Sequence, residues 1–198
     1  EVNYACAQAL QPVTQQKKVS RVSQEPYVTD CIQKFWDYVL EQSASAHTLW
    51  LAHNFKGYDG RFLLEYLESI NVAPRTIFLN GLKITYMEIL HPINKKYTIQ
   101  FKDSILFIPR PLKDIPSMFD LGLSLQKDYF PYEFNSSEHK DYVGAVPDKR
   151  FYNYHYMTDA QRIPFDEWYQ QKQQTPFHLQ LEMDLYCRQD VLILKKGL

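Results

Sequence analysis

The sequence predicts an α/β fold, a mixed β-sheet flanked by helices, and three observations predict it. Apolar residues switch repeatedly between strand-like and helix-like spacing along the chain. The strand-like runs are short and bounded by turn signals, Asn80-Gly81 and residues 92–94 among them. No internal repeat or low-complexity tract overrides that alternation.

Taken in order, residues 1–10 read as a strand and 11–26 as a polar loop rich in Gln, Lys and Ser. Residues 30–42 carry Cys31, Phe35, Tyr38 and Val39 at helical spacing. Residues 47–52 form a short apolar strand, expected to be central. Residues 59–71 form a helix with Phe62, Leu63, Tyr66, Leu67 and Ile70 on one face. Residues 75–79, 82–90 and 97–108 read as three β segments. Five prolines between Pro109 and Pro147 then break regular structure, so 109–150 reads as an irregular insertion. A polar helix over 159–174 is expected to be interrupted at Pro164. The last helix, 176–195, is expected to start with Thr175 as N-cap and Pro176 at the first helical position.

The bulk numbers narrow the function. The 198 residues, 45% hydrophobic and 23% charged, suffice for a core; aromatics are abundant, with 15 Tyr and 12 Phe. A net charge of −1 supplies no global field for a polyanion, so any nucleic-acid contact must be a local groove. Cys6, Cys31 and Cys187 are far apart, which favours reduced thiols in an intracellular setting over a structural zinc site. No run reaches membrane-spanning length. The chain opens on Glu1 and ends just after a helical pattern, as a piece of something longer would.

Two carboxylates carry the chemistry. Residues 49–67 read LWLAHNFKGYDGRFLLEYL: an apolar strand ends at His53-Asn54, and Asp59 opens a helix. Asp59 there is a favoured helix cap, and a cap can also bind a metal. In the last helix, Leu179, Met183, Tyr186, Cys187, Asp190, Ile193 and Leu194 share one stripe, while Leu181, Leu185 and Leu192 make a second, so both faces are expected to be covered. An ionised Asp190 in a core-facing stripe needs a metal ion or an arginine. Carboxylates suit Mg²⁺ or Mn²⁺, and a hydroxyl such as that of Tyr186 can orient a water for two-metal phosphodiester chemistry. Ordinary structural roles stay open beside these: a bonded core hydroxyl for Tyr186, backbone satisfaction for His53 and Asn54, a turn for Ser104 and a solvated surface for Lys127. Phe55, Tyr58 and Phe62 lie where a frayed 3′ end could stack.

Asn54-Phe55-Lys56-Gly57-Tyr58-Asp59 resembles the second exonuclease motif of family B DNA polymerases, and Tyr186-Cys187-Arg188-Gln189-Asp190 resembles the third. Residues 103–109, from Asp103-Ser104-Ile105, look like the Ser-Leu segment of the protein-primed subgroup, with Ile105 in place of Leu. Lys127-Asp128-Tyr129-Phe130-Pro131 is similar to its Lys-Gly-x-Phe-Pro run, with Asp128 in place of Gly, and residues 142–149 are Polinton-like. The chain thus resembles the 3′–5′ exonuclease domain of protein-primed polymerases of adenoviruses, linear mitochondrial plasmids and Polinton elements. The resemblance implies an RNase H-like sheet lacking its first strand, because no Asp-x-Glu motif and no palm signature occur in the chain. It implies Asp59 and Asp190 as metal ligands, Tyr186 and Lys127 as catalytic groups, and His53, Asn54, Phe55, Tyr58, Phe62 and Ser104 as contacts to a single-stranded DNA 3′ end. It further implies a terminal priming protein as partner, Mg²⁺ or Mn²⁺ as cofactor, and a nuclear or mitochondrial location. Two rivals are a decayed or domesticated mobile-element fragment that binds single strands without cutting, and a free-standing ribonuclease.

Overall fold

The computed structural model describes residues 31–122 and 127–198, so the strand expected at residues 1–10 and the loop at 11–26 lie outside the described residues. Chain order is α1 (Cys31–Gln42), β1 (Thr48–Ala52), α2 (Asp59–Ser69), β2 (Thr76–Asn80), β3 (Lys83–Leu90), β4 (Thr98–Asp103), α3 (Ile115–Met118), β5 (Val143–Gly144), α4 (Asp159–Lys172), β6 (Phe177–His178) and α5 (Leu179–Gly197). One four-stranded sheet has the order β1-β4-β3-β2; β1 runs parallel to β4, and the other two pairings are antiparallel.

One face of that sheet carries the first core. Ile99 and Phe101 alternate inward along β4, and the register sets Met87 opposite Phe101 and Ile89 opposite Ile99. Trp36 and Val39 of α1 and Leu63 and Leu67 of α2 pack onto them. The pairing register shifts between Phe78 and Leu79, which leaves Thr85 without an opposite residue and brings Ile84 into the same core. The other face is polar: Glu88 accepts from both Gln100 (2.9 Å) and Tyr86 (3.0 Å).

A second core is almost wholly aromatic. Phe130, Phe134, Tyr152, Phe165, Tyr169 and Phe177 are buried together with Leu179 and Met183, so the proline-rich stretch supplies packing as well as turns. A small third group, Ile108, Ile115 and Ile193, closes the far end of α5.

Several boundaries differ from the sequence reading. Within the described sheet β1 is terminal, with β4 as its one neighbour, and not central. The third β segment stops at Asp103, whose carboxylate caps a 3₁₀ turn over Ser104–Leu106. Pro164 does not interrupt α4: its missing N–H costs one bond near the helix start, and the buried Phe165 and Tyr169 hold the turns that follow. Thr175-Pro176 does not open the last helix. Phe177, buried in the aromatic core, pairs with Gly144 instead, and the helix begins at Leu179. Finally, on the second stripe of α5 Leu181 and Leu185 are exposed (53% and 51%) and Leu192 is half-buried, so the described residues leave the first turns of that side uncovered.

Candidate functional site

Parallel pairing places the carboxyl ends of β1 and β4 side by side, with Ala52 opposite Asp103. In open sheets of this kind ligands bind beyond such strand ends. The chain leaves β1 through His53 and leaves β4 through Ser104, and these two meet: His53 Nδ1 lies 2.9 Å from Ser104 Oγ. The other ring nitrogen, Nε2, lies 2.8 Å from the Arg110 carbonyl. A carbonyl only accepts, so in the neutral ring Nε2 carries the proton and Nδ1 accepts from the serine hydroxyl. Ser104 is fully buried and therefore positions His53 from inside.

The loop between β1 and α2 turns tightly. Asn54 adopts a left-handed φ of 64°, its carbonyl accepts from Gly57 N at 2.7 Å, and a Cβ on Gly57 would come within 2.8 Å of the Asn54 side-chain nitrogen. That side chain could swing aside, so it is the 3.0 Å approach to the Asn54 carbonyl oxygen that favours glycine. Tyr58, not Asp59, is the residue flanking the helix start; Asp59 is the first helical residue, where the helix dipole favours a carboxylate. Although the residue reaches the surface, desolvation raises the Asp59 carboxyl; its own backbone N–H offsets part of this, and the like charge of Asp103 adds to it.

Asp190 lies in the middle of α5 and finds a lysine where the sequence reading expected a metal or an arginine. Lys127 Nζ is 2.7 Å from Asp190 Oδ2 and 4.8 Å from the centre of the Tyr186 ring. Burial nonetheless raises the Asp190 carboxyl, with Lys127 and His53 pulling it back down. Its second oxygen, Oδ1, is buried without a hydrogen-bond partner among the described residues. Tyr186 shares a hydrogen bond with Tyr132 and packs against Phe130. Burial first, and the Asp190 charge second, raise its hydroxyl well above the ordinary range.

Two groups of expected site residues are therefore assembled: His53, Asn54, Ser104 and Asp59 around the strand ends, and Lys127, from the loop that folds back, with Tyr186 and Asp190 of α5. Tyr58 is exposed and Phe62 half-buried on α2. Ser104, fully buried on His53, and Phe55 both depart from the expectation of a DNA contact. The Phe55 ring is buried and stacks on Phe101 at 6.2 Å, because the tight turn folds it under α2 and away from the surface. Among the described residues no group of three or more His, Cys, Asp or Glu side chains could hold a metal ion. Asp59 and Asp190 alone thus do not fit a metal centre, although the orphaned Oδ1 of Asp190 leaves an acceptor for a cation.

The sequence reading gave Asp103 no role. A carboxylate on the same strand face as Ile99 and Phe101 was the signal, since alternation alone sends it into the core. Tyr132 was also passed over, as nothing local distinguishes it from the other tyrosines.

Residues 44–198 match the family described as DNA polymerase type B, organellar and viral. Three similar proteins are each named "Probable DNA polymerase". That of Neurospora intermedia is 28% identical over 146 residues, 72% of this chain and 15% of that protein. That of Ascobolus immersus is 29% identical over 149 residues, 72% of this chain and 12% of that protein. That of Agaricus bitorquis is 26% identical over 132 residues, 66% of this chain and 16% of that protein. The chain therefore spans less than a fifth of the length of these relatives. No solved structure gives a significant match. Among the described residues no helix is long and apolar enough to cross a membrane.

Proposed function

Because the chain belongs to the organellar and viral type B DNA polymerases, we propose that it is part of the 3′–5′ exonuclease domain of a DNA-directed DNA polymerase, with an RNase H-like sheet. The carboxyl ends of β1 and β4 would receive the 3′ end of a single strand. One observation carries this reading: Lys127 meets both Asp190 and Tyr186 of α5, the two residues of the third motif. A lysine that neutralises a buried carboxylate and also lies over a tyrosine ring is poised between an anionic substrate and its protein partner.

In this reading His53, fixed by Ser104 and Arg110, and Asn54, exposed on the turn, contact the strand. Tyr58 and Phe62 offer ring faces to bases. Asp59 and Asp190 supply carboxylates, and Lys127 and Tyr186 orient the scissile phosphate and its water. The Mg²⁺ or Mn²⁺ on which such chemistry depends needs oxygen ligands beyond these two, and the chain carries no Asp-x-Glu to provide them. The 198-residue chain is accordingly a strand-binding module without nuclease activity of its own. Membership of the protein-primed subgroup, a terminal priming protein as partner and origin in a mobile element rest on the motif order from Asn54 to Asp190.

The test uses the purified chain, a 5′-labelled single strand and either cation. A mobility shift without shortening is the expected result. Shortening from the 3′ end that vanishes in Asp190→Ala would mean the carboxylate set is already complete. A chain that ignores single strands altogether would end the exonuclease reading.

A further inference from the structure

Asp103 is fully buried, yet it lies at the end of a strand beside the site. Its Oδ1 accepts from Asn54 N at 3.0 Å and from Ile105 N at 3.0 Å, and its Oδ2 accepts from Lys56 N at 3.1 Å. A buried carboxylate is costly unless donors satisfy it, and bonds from N–H to an ionised oxygen are the strong kind. Two of the three donors belong to the loop that leads from β1 into α2. That loop carries Asn54 in its left-handed conformation, which persists only where the surroundings hold it. The next residue, Ser104, holds the neighbouring His53 from the same strand end, by a hydroxyl bond to its ring.

We infer that Asp103 is a positioning residue for strand binding: its carboxylate clamps the backbone of Asn54 and Lys56, and so sets where Asn54, Tyr58 and Asp59 stand. The inference rests on the strand-binding reading given above. It makes the turn of β4 a template on which the neighbouring loop is cast. Adjacent side chains, Asp103 and Ser104, fix adjacent segments of that loop. An amide at position 103 would offer one acceptor and one donor group to three N–H groups, so at least one N–H would face another donor.

The experiment compares the wild-type chain, Asp103→Asn and Ile99→Val, the last thinning the same strand's core face away from the loop. Amide resonances and exchange rates are followed by NMR, and affinity for a fluorescein-labelled oligothymidylate is measured by anisotropy. In Asp103→Asn the amides of Asn54, Lys56 and Ile105 should move upfield, and exchange at Asn54 and Lys56 should quicken about tenfold, as befits lost charge-assisted bonds. Affinity should weaken about tenfold while the amides of Met87 and Ile89 stay protected; Ile99→Val should change neither loop nor affinity. A loosened loop with unchanged affinity would overturn the positioning role, and so would exchange that quickens evenly over the sheet. Failure of the wild-type chain to bind the oligonucleotide overturns the strand-binding reading itself, a different result. Should Asp103→Asn not fold, couplings across the hydrogen bonds from the Asn54 and Lys56 nitrogens to the Asp103 carboxylate carbon are sought in the wild type. They should be present and grow when the oligonucleotide binds; their absence would refute the clamp.

Discussion

Asp190 has one oxygen on a lysine and the other buried without a hydrogen bond from the described residues, and its carboxyl is raised overall because burial outweighs Lys127. The sign of the pH dependence follows. A carboxyl raised above its ordinary value of 3.8 binds its proton more tightly in the folded chain, so its contribution to stability is full below 3.8 and is lost as pH rises through the folded value. Asp190→Asn should match the wild type in acid and become the more stable of the two above that window, as read from urea midpoints across pH. Lys127→Ala should push the Asp190 carboxyl higher still, which a carbon-detected NMR titration would show; a fall would mean the lysine does not neutralise it. The sequence made Asp190 conspicuous through its helical stripe. It could not reveal Lys127 as the partner, because the pair is formed by a loop folding back onto α5 and leaves no local spacing to read.

At the scale of the element, strong periodicity was legible and boundaries set by tertiary pairing were not. The helices α1 and α2 and the strand β3 stand close to where the sequence places them, since burial of one face is what defines them. The start of α5 was misread because Thr175-Pro176 is a good local helix signal, but the buried Phe177 gains more from the aromatic core and the pairing with Gly144. The two sides of α5 should differ sharply. Leu179→Ala, at a fully buried position, should cost about 2–5 kcal/mol. Leu181→Ser, on the exposed stripe, should stay within about 0.5 kcal/mol of wild type. Equal losses in a denaturant series would mean the outer stripe is covered in solution.

Over the whole molecule, α5 joins the aromatic core to the small apolar group around Ile193, and Asp190 lies between them. The α/β class and the order of the longer elements were legible; the aromatic core was not, because Phe130, Phe134 and Tyr152 reach the rings of α4 from turns without periodicity. Phe165 touches Tyr129, Tyr152, Tyr154, Trp168 and Tyr169. Phe165→Ala should cost about 3–5 kcal/mol and speed amide exchange through α4 and the first turns of α5 while β3 and β4 stay protected. Uniform exchange would show one cooperative unit in place of two. The sheet's connectivity also orders events in time. β2, β3 and β4 form a meander of neighbours, but Thr48 must wait for Ile99 before β1 can dock, with all of α2 and both intervening strands already made. Closing such a loop is slow relative to forming hairpins. On a ribosome, and in refolding from urea, the proposed binding surface at the carboxyl ends of β1 and β4 should therefore be the last part of the sheet to mature. A nascent chain would acquire its hairpins first and the paired carboxyl ends of β1 and β4 only afterwards.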